Sequence, residues 1–375
     1  MSRPDKKIFV DAGVFYTKVS ALKLEEGVGY RPSGRNFFPS MANSESDPLS
    51  PLTYQVEGEM VAVGYDSSQL TLSYDEAKAH PWGWSIENGK ALLTKILFDF
   101  MDKGDKSAEI NFLFEDGDKL AVLKEVVAQF GAGKHPVNAL RQNDKLMIKR
   151  DVDVTFNFLP ASNALIDYLR TIEKSFRKGM VVDISHHKLR IFVLSPEEGV
   201  ELYHESELGV CCYYERILRL LKEYELERVS YGWMIKQIEC GMEEIEIESD
   251  ELESDHLDEP DDIEYIKAMS LKYLKRDSIL VDNKKQHFDV GPLLQNIRWD
   301  LNKDIKNLVT ENLVEYCTNN ATSVDILAIV GGGANLNGEI LMDSLEQEEM
   351  VVSILTIDRH PFYTLVDSAA RESMK

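Results

Sequence analysis

Two aspartates that follow apolar strands are the residues best placed for chemistry in this chain of 375 residues. Asp11 comes directly after the apolar residues 8–10, and Gly13 and Lys18 follow it. An aspartate at a strand end can hold a metal-bound water, and a nearby glycine lets backbone N–H groups approach phosphate oxygens. A lysine a few residues later adds a positive charge for the same oxygens. An ordinary hairpin with an exposed aspartate and lysine is the alternative interpretation of this segment.

Asp183 repeats this arrangement in the middle of the chain. It lies near the end of the apolar strand predicted at 179–184, and a short turn leads into a second strand at 189–194. The repeat suggests an internal duplication, with two similar lobes that face a shared cleft. Asp11 and Asp183 would then lie on opposite walls of that cleft, where a divalent cation with its waters can bridge them to phosphate oxygens.

Three consecutive glycines separate a buried-type strand at 326–330 from a helix predicted at 336–345. Gly331, Gly332 and Gly333 remove every side chain where a flat ring or a ribose would press against the backbone, and Asn335 follows them. They also expose the N-terminus of the next helix, which favours phosphate. The pattern is neither a Rossmann nor a P-loop signature. A turn that serves only packing is the alternative, although three glycines in a row are costly in backbone entropy.

The elements that position these residues follow the periods of strands and helices. They alternate along the chain, which predicts an α/β fold. The predicted strands lie at 8–10, 17–22, 53–56, 60–63, 110–114, 152–158, 179–184, 189–194 and 326–330. The predicted helices lie at 92–101, 120–130, 161–176, 263–273, 293–316 and 336–345.

Composition and charge limit the function classes. The net charge of −23 argues against direct nucleic-acid binding and against adhesion to anionic membranes. The run 239–262 holds 13 of the acidic residues and no lysine or arginine, which is typical of a solvated loop. No apolar run is long enough to span a membrane, and no signal peptide is visible. Four cysteines without CxxC spacing indicate reduced thiols and a cytoplasmic protein.

The order of these motifs resembles the actin, sugar kinase and Hsp70 superfamily, and in particular the plasmid-segregation actins of the ParM type. Four further segments are similar to that family: the hairpin at 57–64, the segment 81–100, the strand–Pro160–helix element at 154–167, and residues 361–363 with Ala369. The resemblance implies a two-lobed actin-like ATPase fold, with duplicated ribonuclease-H-like domains that flank a nucleotide cleft. It also implies ATP or GTP with Mg²⁺, and head-to-tail filaments.

The resemblance assigns domains and site residues. Domain I would comprise 1–178 and 356–375, with a small subdomain at about 31–88; domain II would comprise 179–355, with a small subdomain at about 223–285. Asp11, Gly13 and Lys18 match the first phosphate loop, Asp183 and Ser185 lie in the second, and the glycine run with Asn335 matches the adenosine loop. Asp11 and Asp183 would be catalytic and would hold Mg²⁺ through water.

Two departures from the family pattern predict slow or absent hydrolysis. Ser185 stands where the second loop has a glycine. The next residues, His186 and His187, are candidates for phosphate or metal binding, but we favour the interpretation that they are exposed turn residues. Ala161 stands where a carboxylate or glutamine orients the attacking water. Ser162 and Asn163 are weak substitutes because neither is a strong base. Glu115 and Asp116 are other candidates for that role.

Three functions therefore remain open from the sequence. The first is a nucleotide-binding filament for plasmid or DNA segregation or for intracellular positioning, with the acidic run either tuning assembly or binding a basic adaptor protein. The second is a non-polymerising adaptor or pseudo-ATPase of the same fold. The third is a small-molecule kinase or phosphatase of the superfamily, although no insertion that would form a sugar site is evident.

Overall fold

The computed structural model describes residues 3–43, 52–64, 83–141, 146–223, 279–281, 286–288, 291–346 and 352–374. The acidic run 239–262 and the helix predicted at 263–273 lie outside these residues. The chain forms two compact units, one comprising 1–69, 78–212 and 300–375, and the other comprising 70–77 and 213–299. None of the described helices is long and apolar enough to cross a membrane.

A mixed nine-stranded sheet occupies the N-terminal part of the first unit. Its strands are β1 (Lys6–Ala12), β2 (Tyr16–Glu25), β3 (Gly29–Pro39), β4 (Ala42–Asn43), β5 (Leu52–Val56), β6 (Glu59–Val63), β7 (Ser107–Phe114), β8 (Gly133–Arg141) and β9 (Leu146–Pro160). Their order across the sheet is β3-β2-β1-β7-β9-β8-β5-β6-β4. The predicted hairpin partners are confirmed, since β1 pairs antiparallel with β2, and β5 with β6.

A second sheet of five strands follows in the same unit. Its strands are β10 (Gly179–Ile184), β11 (Leu189–Ser195), β12 (Gly199–Ser206), β15 (Val324–Val330) and β16 (Val352–Ile357). Their order is β12-β11-β10-β15-β16, so a central parallel pair borders an antiparallel hairpin, as in the first sheet. The predicted echo of the N-terminal strands at 179–194 is thus present as structure. In the second unit, the short strands β13 (Ile279–Val281) and β14 (Gln286–Phe288) form a separate pair.

The described helices include every predicted helix except the one at 263–273. They are α1 (Ile86–Phe100), α2 (Gly117–Phe130), α3 (Ala161–Ile172), α4 (Val210–Glu223), α5 (Gly291–Asn320), α6 (Ala334–Glu346) and α7 (Thr364–Glu372). Helix α1 begins earlier than predicted, because Ser85 caps it by accepting a hydrogen bond from the Asn88 N–H at 3.2 Å. Helix α3 ends earlier than predicted. The Glu173 carboxylate accepts hydrogen bonds from the Ser175 N–H and hydroxyl at 2.9 and 2.7 Å, which favours a turn.

One hydrophobic cluster joins the two sheets of the first unit. It combines Phe9 of β1 and Val181 of β10 with Leu165 of α3 and Val366 of α7, all of them at most 1% exposed. Because both helices contribute to this shared core, burial of apolar surface holds the ends of the central strands of the two sheets in a fixed relation.

Gly89 allows helices α1 and α2 to pack closely. A Cβ atom at Gly89 would lie 2.3 Å from Cγ1 of Val126. We therefore expect Gly89→Ala to lower the free energy of unfolding by about 1–3 kcal/mol through overpacking, although alanine favours a helix by about 1 kcal/mol. Urea denaturation measures this change. Gly117→Ala is the matched control, since no atom lies within 4 Å of its Cβ position. Equal stability of the two variants would contradict the prediction, and adding Val126→Ala should restore part of the loss.

Candidate functional site

The first hairpin places an acid opposite a base. Asp11 on β1 is the register partner of Lys18 on β2, and the Lys18 Nζ lies 3.3 Å from the Asp11 Oδ2. Asp11 and Lys18 are only 5% and 8% exposed, so the alternative of an exposed aspartate and lysine is wrong. At Gly13 a Cβ atom would lie 2.4 Å from the Tyr16 carbonyl oxygen, which explains the glycine at this tight turn.

The second hairpin repeats this pairing, and its base, Arg190, was not among the residues predicted from the sequence. Asp183 on β10 is the register partner of Arg190 on β11, and the Arg190 guanidinium lies 3.3 Å from the Asp183 Oδ2. Arg190 follows Asp183 at the same spacing at which Lys18 follows Asp11. This repeated acid–base spacing is the signal from which Arg190 was predictable.

Two residues connect the hairpins: Glu115, just before α2, and Lys119, in the first turn of α2. The Lys119 Nζ lies 3.3 Å from the Asp11 Oδ1 and 2.7 Å from the Glu115 Oε2. The Glu115 Oε1 in turn lies 3.3 Å from the Arg190 guanidinium. Asp11 and Asp183 are thus joined by a continuous series of ion pairs. We call these six side chains the charged cluster: Asp11, Lys18, Glu115, Lys119, Asp183 and Arg190.

The pKa of the Asp11 carboxyl lies well below its ordinary value. Burial alone would raise this pKa, but the positive charges of Lys119, Lys18 and Arg190 outweigh burial. Burial would conversely lower the pKa of Lys119, and the carboxylates of Glu115 and Asp11 raise it instead. The charged cluster therefore holds Asp11 and Lys119 in their ionised forms near neutral pH.

This lowered pKa predicts a dependence of stability on acid. An aspartate whose pKa is lower in the folded protein stabilises it fully above its ordinary pKa of 3.8, and this stabilisation is lost as the pH falls further. We expect the difference in unfolding free energy between the wild type and Asp11→Asn to be constant from neutral pH to about pH 5 and to shrink below pH 3.8. Chemical denaturation across this range measures it.

Exposed Asp151 supplies the control for the acid experiment. Asp151→Asn should stay within about 0.5 kcal/mol of the wild type at every pH. A difference for Asp11→Asn that grows toward acid would contradict the assignment of Asp11 as an ionised partner of Lys18 and Lys119.

The glycine run packs directly against the second hairpin. Gly331 has a positive φ of 89°, and a Cβ atom there would lie 2.6 Å from the Ile184 carbonyl oxygen. The Gly333 N–H donates a hydrogen bond of 2.7 Å to the same oxygen. Close approach of the backbone therefore explains Gly331 and Gly333 without a ligand. This agrees with the alternative interpretation, in which the glycine run serves only packing. Asn335 at the start of α6 is exposed.

An aromatic ring connects the glycine run to the first hairpin. A Cβ atom at Gly332 would lie 2.8 Å from the Phe362 ring. The Nζ of Lys18, on β2, lies 4.9 Å from the centroid of the same ring. The three segments selected from the sequence, around Asp11, Asp183 and Gly331, thus come together at one place.

The turn after Asp183 differs from its expected form. The Ser185 hydroxyl lies 3.0 Å from both carboxylate oxygens of Asp183, so its side chain is directed at that acid. The expectation that His186 and His187 are exposed is wrong, because both are half-buried. The His186 ring stacks on the buried Phe15 ring with centroids 3.8 Å apart and planes at 13°, which brings the two turns into direct contact.

The candidates for a water-orienting residue are engaged elsewhere or poorly suited. Ala161, at the first position of α3, is buried and has no polar side chain. Glu115 is held between Lys119 and Arg190, and only 2% of its side chain is exposed. Asp116 caps α2 by accepting a hydrogen bond of 2.7 Å from the Lys119 N–H. Glu115 is thereby engaged on both sides, and one carboxylate oxygen of Asp116 is occupied by the helix cap.

The donor set does not fit a divalent cation shared by Asp11 and Asp183. Each carboxylate already has a fixed cation within 3.3 Å. Among the described residues, no group of three or more acidic, histidine or cysteine side chains is arranged to hold a metal. Two like unit charges 4 Å apart repel by about 4 kcal/mol at an effective dielectric constant of 20. A divalent ion would therefore have to displace the cations of the charged cluster.

The two sheets, their shared helices and the converging turns define the actin-like fold of the ParM type. Solved structures match it over nearly the whole chain. A ParM filament of 15 strands from Clostridium botulinum matches with a TM-score of 0.61 and 13% identity, over 99% of both chains. An archaeal actin homologue in complex with ADP matches with a TM-score of 0.61 and 14% identity, over 97% of this chain and 99% of the other.

A third match is ParM from Bacillus thuringiensis with ATP, with a TM-score of 0.55 and 13% identity over the full length of both chains. No protein-family model and no curated protein sequence matches the chain. The likeness therefore lies in the fold, and the predicted fold class is confirmed.

Proposed function

We propose that this chain is a nucleotide-binding actin-like protein that assembles into filaments and hydrolyses its nucleotide slowly or not at all. The observation that carries the proposal is the convergence of the turns around Asp11, Asp183 and Gly331 within an actin-like fold. In this proposal the phosphates lie near Asp11, Gly13 and Lys18 and near Asp183 and Ser185. The base and ribose lie against the glycine run and Asn335.

Slow hydrolysis follows from the environment of the attacking water. Positioning of that water is a major part of phosphoryl-transfer catalysis. Ala161 offers no polar group at the family's position, and Glu115 is bound on both sides by cations. The sequence's expectation that Asp11 and Asp183 hold Mg²⁺ through water stays a prediction, and the charged cluster does not favour it.

Assembly is supported by the fold shared with the ParM filament. In this proposal the protein segregates plasmid DNA or positions other cargo, and the acidic run 239–262 either tunes assembly by repulsion or binds a basic adaptor. The domain boundaries at 178 and 355 are part of the same proposal.

Sedimentation of the full chain tests this function. The chain should pellet at high speed with ATP or GTP and remain in the supernatant without nucleotide, and phosphate release should be slow or absent. A supernatant fraction that no nucleotide changes would refute nucleotide-driven assembly. Rapid phosphate release would refute the assignment of Ala161 as a missing catalytic position.

A non-polymerising adaptor of the same fold is the second candidate. The stack of Phe15 on His186 favours it, because two bulky rings lie between the turns that the first proposal assigns to phosphate. This candidate predicts no change in light scattering or in thermal stability upon addition of ATP or GTP. Retention of a monomeric state with bound nucleotide would identify an intermediate case, an adaptor that senses nucleotide.

A further inference from the structure

In the charged cluster, the cationic side chains are more exposed than the carboxylate side chains. The carboxylates keep only 2–7% of their side-chain surface exposed. The cationic side chains of Lys18, Lys119 and Arg190 keep 10%, 17% and 17%. Most of the accessible surface of the cluster therefore belongs to its cationic side chains, which favours an anion as ligand.

The cluster is also electrically complete without a metal. Its three carboxylates are matched by three cations, and Glu205, which also lies 3.7 Å from Arg190, is paired with Lys188. Each cation is held by contacts on two or more sides. Lys119 touches both Asp11 and Glu115, while Arg190 touches both Glu115 and Asp183. A divalent ion would have to displace cations that are already paired with these carboxylates, whereas a phosphate can contact the more exposed cations.

We infer that Lys18, Lys119 and Arg190 neutralise the phosphates of the bound nucleotide, and that a divalent cation shared by Asp11 and Asp183 is not required. This inference rests on the proposed nucleotide binding. It assigns Lys119 and Arg190, which neither the sequence motifs nor the family resemblance indicated, as phosphate ligands. Phosphate oxygens accept hydrogen bonds from both kinds of side chain. The guanidinium of arginine donates from a planar fork, and the ammonium of lysine binds as a point charge.

Glu115 has a supporting role in this arrangement. Its carboxylate lies between Lys119 and Arg190, so it holds the two cations at a set separation on neighbouring segments. The phosphate contacts are then preorganised, and binding needs little rearrangement of the long, rotamer-rich side chains.

Titration of ATP into the full chain tests the inference directly. Calorimetry is performed once with excess Mg²⁺ and once with EDTA. Since ATP without metal carries more negative charge, we expect its affinity in EDTA to be equal or higher, or lower by less than about tenfold. A loss of about tenfold or more in EDTA would overturn the inference while leaving nucleotide binding intact. Failure of ATP to bind in either buffer would instead refute the proposed function.

A substitution on α2 tests the role of Lys119. In EDTA, Lys119→Met should weaken ATP binding by about tenfold or more, and Lys119→Arg should retain binding because it keeps the charge. Exposed Lys124 on the same helix gives the matched control, Lys124→Met, which should bind as the wild type does. Circular dichroism checks the fold of each variant. Wild-type affinity in folded Lys119→Met would overturn the assignment; if that variant does not fold, the metal comparison on the wild type decides.

Discussion

Glu115→Gln is expected to lower the free energy of unfolding by about 3–5 kcal/mol. The substitution keeps the shape of the side chain and removes the one carboxylate that pairs with both Lys119 and Arg190, at 2.7 and 3.3 Å. Only 2% of the Glu115 side chain is exposed, so water does not replace the lost charge. Removal of one partner from a buried ion pair leaves an uncompensated charge, which costs more than the pair itself contributes.

Urea denaturation followed by circular dichroism measures the effect as a shift in midpoint at constant slope. Glu125 provides a control on the exposed surface of α2. Glu125→Gln removes the same charge and should change the unfolding free energy by no more than about 0.5 kcal/mol. If the two variants were equally stable, the charged cluster would not hold the hairpins together.

Gly331→Ala should lower the free energy of unfolding by roughly 2–6 kcal/mol, the sum of two separate effects. The positive φ of 89° strains any residue with a Cβ by about 1–3 kcal/mol. The new methyl group would also lie 2.6 Å from the Ile184 carbonyl oxygen and 2.2 Å from the Asp183 Oδ1, and overpacking adds about 1–3 kcal/mol. Thermal or urea denaturation measures the total.

Gly199→Ala separates these two effects. Gly199 has a similar φ of 78°, but nothing lies within 4 Å of its Cβ position. This variant should therefore show only the backbone strain, and Gly331→Ala should exceed it by the overpacking contribution. If the two variants lost equal unfolding free energy, the backbone at Gly331 would have to move to accommodate the methyl group at no cost. That result would contradict the overpacking expected from the contacts described above.

The elements around the site were predictable because their patterns are local. Strand periodicity placed β1, β2, β10 and β11, and the acid at each strand end identified the segments that converge. The edge strand β3 was harder to predict, since it combines exposed polar residues with Pro32. Proline is tolerated there because β3 lies at the edge of the nine-stranded sheet, where one side of the strand has no partner in that sheet.

The cations of the charged cluster were harder to derive for a different reason. Lys119 lies far from Asp11 along the chain, and the two meet only because β1 and β7 are parallel neighbours whose ends lie together. Nothing local distinguishes Lys119 from Lys124 on the same helix. The same holds for Phe15 and His186, whose stacking depends on how two distant turns approach each other.

The repeated pairing of Asp11 with Lys18 and of Asp183 with Arg190 also bears on how such a chain can arise. Each hairpin brings its own acid and its own base at the same spacing, so copying one hairpin introduces no unbalanced charge into the protein interior. Each hairpin is therefore electrostatically self-sufficient, and Glu115, through Lys119 and Arg190, adds the connection between the two.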